Sequence, residues 1–313
     1  MHETFISEDP WLSQPFKAPA ALLILSLGRP GSTVLHSLTA RAIFLLALNN
    51  LQTLSISLTQ GNPLFGGVTS NFTLKGGQGA DTITTNGATY FLSNAFINLN
   101  SNDDTIDVSG TASGSTIQGG QGDDTVDTGS LLGSFVNGNK DDDDITFGGD
   151  STGSTIRGGQ GDDTFDVAND ITSSFIAGDK GDDEITDTGT NAVTGSTFQG
   201  GEGDDTITLD GITTGVTVFG GKDNDVITTG TSADTIDGGE GVDTIDADEG
   251  ADLVTLGAGA DTYVFNDSDS PDLTATNIAD NSAFADGAFI TFGDGVDVVT
   301  DFTTADRFDS AGT

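Results

Sequence analysis

The residues of this chain best placed to do chemistry are aspartates that close glycine-rich hexads. Between Gly220 and Phe265 an Asp recurs every nine residues, at Asp225, Asp234, Asp243, Asp252 and Asp261. An apolar residue follows two positions after each: Ile227, Ile236, Ile245, Val254 and Tyr263. Glycine reaches positive φ without steric cost, so a Gly-Gly-x-Gly turn can aim several carbonyl oxygens at one point. The closing Asp adds negative charge. Calcium, a hard cation, takes about six to eight such oxygen ligands. One hexad offers too few for a full shell. The next hexad on the same edge of a strand stack lies ~4.8 Å away, so two neighbours can share an ion.

Five hexads match GGxGxD in full. They are Gly76, Gly77, Gly79 and Asp81; Gly119, Gly120, Gly122 and Asp124; Gly158, Gly159, Gly161 and Asp163; Gly200, Gly201, Gly203 and Asp205; and Gly238, Gly239, Gly241 and Asp243. Degenerate copies lie among them. LNSNDD at 99–104 closes on Asp104, and NKDDDD at 139–144 closes on Asp144. GDKGDD at 178–183 keeps Gly178, Gly181 and Asp183, and GGKDND at 220–225 keeps Gly220, Gly221 and Asp225. LGAGAD at 256–261 closes on Asp261. The column of closing Asp has a period near 20 in front and 18 at the back. Eighteen is two units of a six-residue turn and a three-residue strand. Twenty is one such unit, a second strand and a longer turn such as TGSLLG at 128–133, which has no acid. The reading is lopsided: up to about nine ions on the hexad edge, each between two coils, and at most one on the opposite edge, where Asp234 and Asp252 fall.

On these hexads, over residues 76–265, the chain resembles the RTX (hemolysin-type calcium-binding repeat) proteins. The resemblance implies a calcium-loaded parallel β-roll with several ions held by loop carbonyls and closing Asp. It also implies an extracellular location reached through a type I exporter. The carry-over is direct for the five full hexads. It is looser for Asp104, Asp144, Asp183, Asp225 and Asp261, whose hexads lack glycines. The front half departs from the family pattern, because its hexads occupy only one edge.

Strands must hold these turns in line. In Thr125-Val126-Asp127 and Thr206-Ile207-Thr208 the apolar middle residue points in and its polar flanks point out. Val126, Ile145, Phe165, Ile185, Ile207, Ile227, Ile236 and Ile245 read as one inner row. Ile117, Phe135, Ile156, Phe175 and Phe198 read as the facing row. One coil cannot bury its few apolar side chains alone, so stacking makes the core. The fold class expected is all-β: a right-handed parallel β-roll or β-solenoid with calcium in Gly-Asp turns. A short N-terminal helical segment is expected too, because apolar residues of Val34–Leu48 approximate one helical face. Residues 1–60 form that segment, 61–265 the calcium-binding roll, and 266–313 a C-terminal cap of a possibly longer protein.

The formal net charge is −40. Residues 1–50 hold three acids and three bases, so all of it lies later. Such a surface repels nucleic acid and anionic membrane, and its carboxylates oppose compaction unless cations neutralise them. The apolar runs at 18–27 and 42–48 fall short of the roughly 20 residues of a membrane span. There is no Cys, so disulfides and thiolate metal sites are excluded. The only histidines are His2 and His36, so no histidine-based catalytic set lies within the repeats. Lys75, Lys140, Lys180 and Lys222 sit in or beside hexads and read as surface pairs. The expected function is non-enzymatic: a secreted calcium-binding protein with a structural or cell-surface role that folds on calcium. Two alternatives are the repeat portion of a larger secreted enzyme, and ice or surface adhesion through a Thr row. That row comprises Thr82, Thr105, Thr125, Thr164, Thr206, Thr235 and Thr244.

Overall fold

The computed structural model describes residues 71–265 apart from 72, 87–90, 188, 190, 191 and 213. It also describes strands at 23–25, 32–35, 44–47, 53–59 and 68–70, and residues 288–291, 297–303 and 305–310. The regular elements among them are all β-strands. The chain divides into two compact units, Met1–Asp144 and Ile145–Thr313, each a parallel β-solenoid.

From Thr73 on, the coils of the first unit have three strands. The strand before a hexad belongs to the leading sheet: Thr73–Lys75, Phe96–Asn98, Thr116–Gln118 and Phe135–Asn137. The strand after it belongs to the trailing sheet: Thr82–Asn86, Thr105–Val108 and Thr125–Thr128. The longer turns hold a short third strand, as in Phe91–Ser93, Thr111–Ser113 and Leu131–Leu132. The residues by which these coils exceed 18 therefore make a third side. Leu74, Ile97, Ile117 and Val136 stack inward from the leading sheet, and Ile83, Ile106 and Val126 from the trailing one. Leu92, Ala112 and Leu131 close the third side.

The second unit begins in the same way, with third strands at Ser151–Thr152, Ile171–Thr172 and Val193–Thr194. No third strand follows among the described residues, and the later coils have two sides. From Phe175–Lys180 to Thr235–Glu240 the leading strands run six residues, because the first half of the hexad stays in the ladder. Phe165, Ile185, Ile207, Ile227, Ile245 and Tyr263 form one inner row. Ile156, Ile176, Phe198, Val218, Ile236 and Val254 face them. Ile236 thus belongs to the facing row. The closing coil is Val298–Phe302 and Arg307–Ser310, paired in parallel with Leu253–Thr255 and Thr262–Phe265. Ala288–Thr291 adds an antiparallel strand beside Val298–Phe302. No helix among the described residues is long and apolar enough to cross a membrane.

Two expectations need correction. The segment expected as an N-terminal helix holds strands where it is described. Ser32–Leu35 pairs in parallel with Thr53–Thr59, and Phe44–Ala47 pairs with Thr73–Lys75. Short apolar runs do not distinguish a helix from a buried strand, and an adjacent solenoid end offers such a run a ladder. The solenoid accordingly starts before residue 61. His2, His36 and the leader region up to residue 22 lie outside the described residues.

The second correction concerns Phe135 and Phe175. Both lie half-exposed on the outer face, and Val136 and Ile176 take the inner positions. The preceding Ser134 and Ser174 are buried and set the register, with the apolar residue two positions on. Outside, Arg157 lies 5.4 Å from the centroid of the Phe175 ring. Ile176→Ala should therefore lower the unfolding free energy in saturating calcium by about 2–5 kcal/mol. Phe175→Ala should cost about 1 kcal/mol or less, mostly its cation–π contact. Urea titration of both variants checks this, and equal losses would contradict the register.

Candidate metal centre

The hexads lie on one edge, between leading and trailing strands. Their closing carboxylates form a buried column in each unit. In the first unit the backbone N–H of Asp81 donates to Asp104 Oδ1 at 2.6 Å, that of Asp104 to Asp124 Oδ1 at 2.8 Å, and that of Asp124 to Asp143 Oδ1 at 2.8 Å. The second unit repeats the pattern from Asp163 through Asp183, Asp205, Asp225, Asp243 and Asp261 to Asp306, at 2.8–3.0 Å. These column carboxylates are at most 2 % exposed.

Asp143, and not Asp144, is the column member. Asp144 is exposed and opens the strand Asp144–Phe147. The hexad is therefore Gly138-Asn139-Lys140-Asp141-Asp142-Asp143. The rule of an apolar residue two positions on already points there, since Ile145 follows Asp143 by two. The same rule finds Asp297 and Asp306, through Val299 and Phe308, which the hexad pattern missed.

Each hexad glycine has a distinct task. At the first position the Asp carboxylate lies on the glycine itself. A Cβ built on Gly119, Gly158, Gly178 or Gly200 would meet Oδ2 of Asp124, Asp163, Asp183 or Asp205 at 2.0–2.2 Å. At Gly76, Gly220 and Gly238 that same spot faces both the Asp Oδ2 and the next coil's first carbonyl, of Leu99, Gly238 and Leu256, all within 2.3–2.6 Å. This is an oxygen-lined cradle. The second and fourth positions take positive φ, as at Gly120 (144°), Gly122 (107°), Gly201 (141°) and Gly203 (130°). Degenerate hexads fill these positions with Asn100, Asn102, Asn139, Asp141, Asp179 and Asp223, all at φ 67–90°. Asn and Asp tolerate that region best after glycine, so the missing glycines do not break the turn.

A second row of acids, absent from the sequence reading, runs along the outside at the fifth position. Here the direction reverses. The N–H of Asp182 donates to Asp162 Oδ1, that of Asp204 to Asp182 Oδ1 and that of Asn224 to Asp204 Oδ1, at 2.8–2.9 Å. At the third position Glu202 pairs with Lys180 at 3.0 Å and with Lys222 at 2.8 Å. Lys180 and Lys222 thus make the surface pairs expected of them, whereas Lys75 lies 5.9 Å from the centroid of the Phe96 ring. The Lys222 hydrogen bond, followed by that of Lys180, holds Glu202 down to about 2.

The column carboxylates have one unmet requirement. Oδ2 of Asp104, Asp124, Asp183, Asp205, Asp225, Asp243 and Asp261 is buried and has no hydrogen-bond donor. Burial, opposed by the N–H of the preceding coil, pushes Asp104, Asp183 and Asp225 up to about 8. It pushes Asp124 and Asp205 up to about 7, and Asp261 to about 6. Neighbouring carboxylates add to the shift. Among the described residues no three carboxylates converge on one point. A cation here would draw on one or two carboxylates and on turn carbonyls, a donor set of hard oxygens that fits calcium.

The RTX calcium-binding nonapeptide repeat (4 copies) matches residues 73–88, 100–130, 195–211, 217–245 and 228–263. These segments are RTX repeats. No curated protein and no solved structure matches the chain. The matched RTX segments contain Asp81, Asp104, Asp124, Asp205, Asp225, Asp234, Asp243, Asp252 and Asp261.

The raised carboxyls fix a pH dependence. An unfolded Asp titrates near ~4. Asp104, Asp124, Asp183, Asp205, Asp225 and Asp261 therefore contribute stability that is fully present below about pH 4 and is lost as pH rises through their folded values, about 6 to 8. In chelator, acidification from about pH 8 to about pH 4.5 should raise β-sheet circular dichroism. A signal that stays flat or falls over that range would contradict the burial of these groups.

Proposed function

We propose that this chain is a secreted calcium-binding scaffold that folds on meeting calcium and acts through its surface, without catalysis. The buried carboxylate column carries the reading. It sets donor-less oxygens in cradles of carbonyls, in a chain of net charge −40. Calcium would be held by the Asp Oδ2 atoms and hexad carbonyls, and it would supply the positive charge the column lacks. The chain's own residues do the rest. Asp Oδ1 fixes coil spacing, the hexad glycines admit the carboxylate, and the inner apolar rows exclude water.

Cytosolic free calcium is too low for millimolar sites, so folding would follow export. A type I exporter suits a chain that passes unfolded and folds outside. The partner outside would be a cell surface or an extracellular molecule. A Thr-row ice surface is less well supported. In the second unit the outer column after the hexads reads Thr164, Glu184, Thr206, Val226, Thr244 and Thr262, so charge and bulk interrupt it.

In chelator at neutral pH the repeats should give a disordered circular-dichroism spectrum, and about millimolar calcium should produce β signal. Asp205→Ala should raise the calcium midpoint, because Asp205 joins two neighbouring turns. Asp144→Ala should leave the midpoint near wild type and Asp143→Ala should raise it. Full β signal in excess chelator at neutral pH would sink the proposal.

A further inference from the structure

The edge opposite the hexads has a column of its own, with different chemistry. In the first unit the N–H of Ala95 donates to Ser115 Oγ at 3.1 Å, and that of Ser115 to Ser134 Oγ at 3.2 Å. In the second unit the N–H of Ser154 donates to Ser174 Oγ at 3.2 Å, and that of Ser174 to Ser196 Oγ at 3.1 Å. This is the bond that Asp Oδ1 accepts on the hexad edge. A hydroxyl also donates. Ser115, Ser154, Ser174 and Ser196 each return a hydrogen bond to the carbonyl two residues back, at 3.1–3.4 Å. The serines are buried to 4 % exposure or less, and the hydroxyls of Ser115, Ser134, Ser174 and Ser196 both accept and donate without bearing charge.

Farther along the second unit the column changes. Val216, buried and without a polar side chain, donates its N–H to Asp234 Oδ1 at 2.8 Å. The N–H of Asp234 donates to Asp252 Oδ1 at 2.7 Å, and that of Asp252 to Asp297 Oδ1 at 3.1 Å. Asp234 and Asp252 each keep a buried Oδ2 with no donor, and are 3 % and 1 % exposed. The change follows Val193–Thr194, the last third strand among the described residues.

We propose that in the three-sided coils the serine column closes this edge without metal, and that among the described residues the edge becomes a cation site at Asp234, Asp252 and Asp297. The proposal rests on the calcium reading above. The two edges solve one problem in two ways. In both columns the residue before a strand offers its neighbour's N–H a side-chain acceptor, Ala95 and Val216 excepted. Serine meets that need and its own. Aspartate meets it and, at Asp234 and Asp252, leaves a buried oxygen for which the coils supply no donor. The column residue thus decides which edges answer to calcium. Calcium then sits on one edge of the three-sided coils and on both edges of the two-sided ones.

The test counts bound calcium in the full chain after gel filtration in calcium buffer, with melting temperature as a second readout. Ser134→Ala and Ser174→Ala should keep the wild-type count and lower the melting temperature. Asp234→Asn and Asp252→Asn should lower the count. A count that falls in the serine variants, or holds in both Asp variants, overturns the assignment. Terbium(III) covers the case in which the Asp variants do not fold. The hydroxyl of Tyr263 donates to Asp297 Oδ2 at 2.7 Å, so a lanthanide there should show tyrosine-sensitised emission. Tyr263→Phe should remove most of it, and unchanged emission in that variant overturns the second-edge site. A wild type that binds no calcium would sink the calcium reading itself, whereas a serine-dependent count sinks only the edge assignment.

Discussion

Within each unit, neighbouring coils are joined by buried carboxylates, several of which do half of what they need. At Asp205 the Oδ1 accepts the N–H of Asp183, and the Oδ2 is buried where a Cβ of Gly200 would stand, with no donor. Two ionised carboxylates ~4.8 Å apart repel by about 3–4 kcal/mol at an effective dielectric of about 20. Stacked through several coils, that repulsion opposes the apolar burial of the inner rows. Neutralisation of the column, by protons or by a divalent cation, would remove that opposition. The net charge of −40 is the same fact seen from outside.

The glycine pattern follows from where the carboxylate sits. In the glycine hexads the Asp Oδ2 lies where a first-position Cβ would stand, as at Gly158, whereas the hexads of Asp104 and Asp261 place Leu99 and Leu256 there. At the second and fourth positions a Cβ would meet the neighbouring coil's backbone, Gly201 O at 2.2 Å from Gly221 and Gly181 O at 2.1 Å from Gly203. Asn and Asp nonetheless take both positions at positive φ, as at Asn100, Asp179, Asn102 and Asp223. Positive φ at these two positions is what the full and the degenerate hexads share. This is why a hexad such as GDKGDD retains its buried Asp183 in register.

Much of this was legible in the sequence, because a solenoid writes its period directly into the chain. The Asp column, the hexad edge and the switch from 20 to 18 residues could be read from spacing alone. Asp144 was misassigned because four consecutive aspartates blur the hexad frame, and only the position of Ile145 fixes it. Phe135 and Phe175 were placed inside on hydrophobicity, but register is set by the buried serine before them, a polar signal that composition hides. The third strand was invisible, since two residues such as Leu131-Leu132 carry no period. The N-terminal strands were read as helix because their apolar runs are short and their pairing partners lie outside the run.

Aspartate and serine share one structural role in this chain. Either supplies an oxygen to the N–H of the preceding coil, and either is followed two residues later by the inward apolar side chain, as in Asp124-Thr125-Val126 and Ser115-Thr116-Ile117. The fold therefore does not require charge at these positions. Charge is an added property, placed on the edge where glycines leave room for a second carboxylate oxygen and omitted where Gly114 or Gly133 makes only a tight corner at φ 56° and 54°. Fold and ion response are thus separable at the level of a single column residue. A coil can keep its inner rows and its ladder while an edge is made sensitive or indifferent to a cation. Val216 marks the limit of that freedom, because a coil with neither oxygen can still donate its N–H onward but gives the coil behind it no side-chain acceptor.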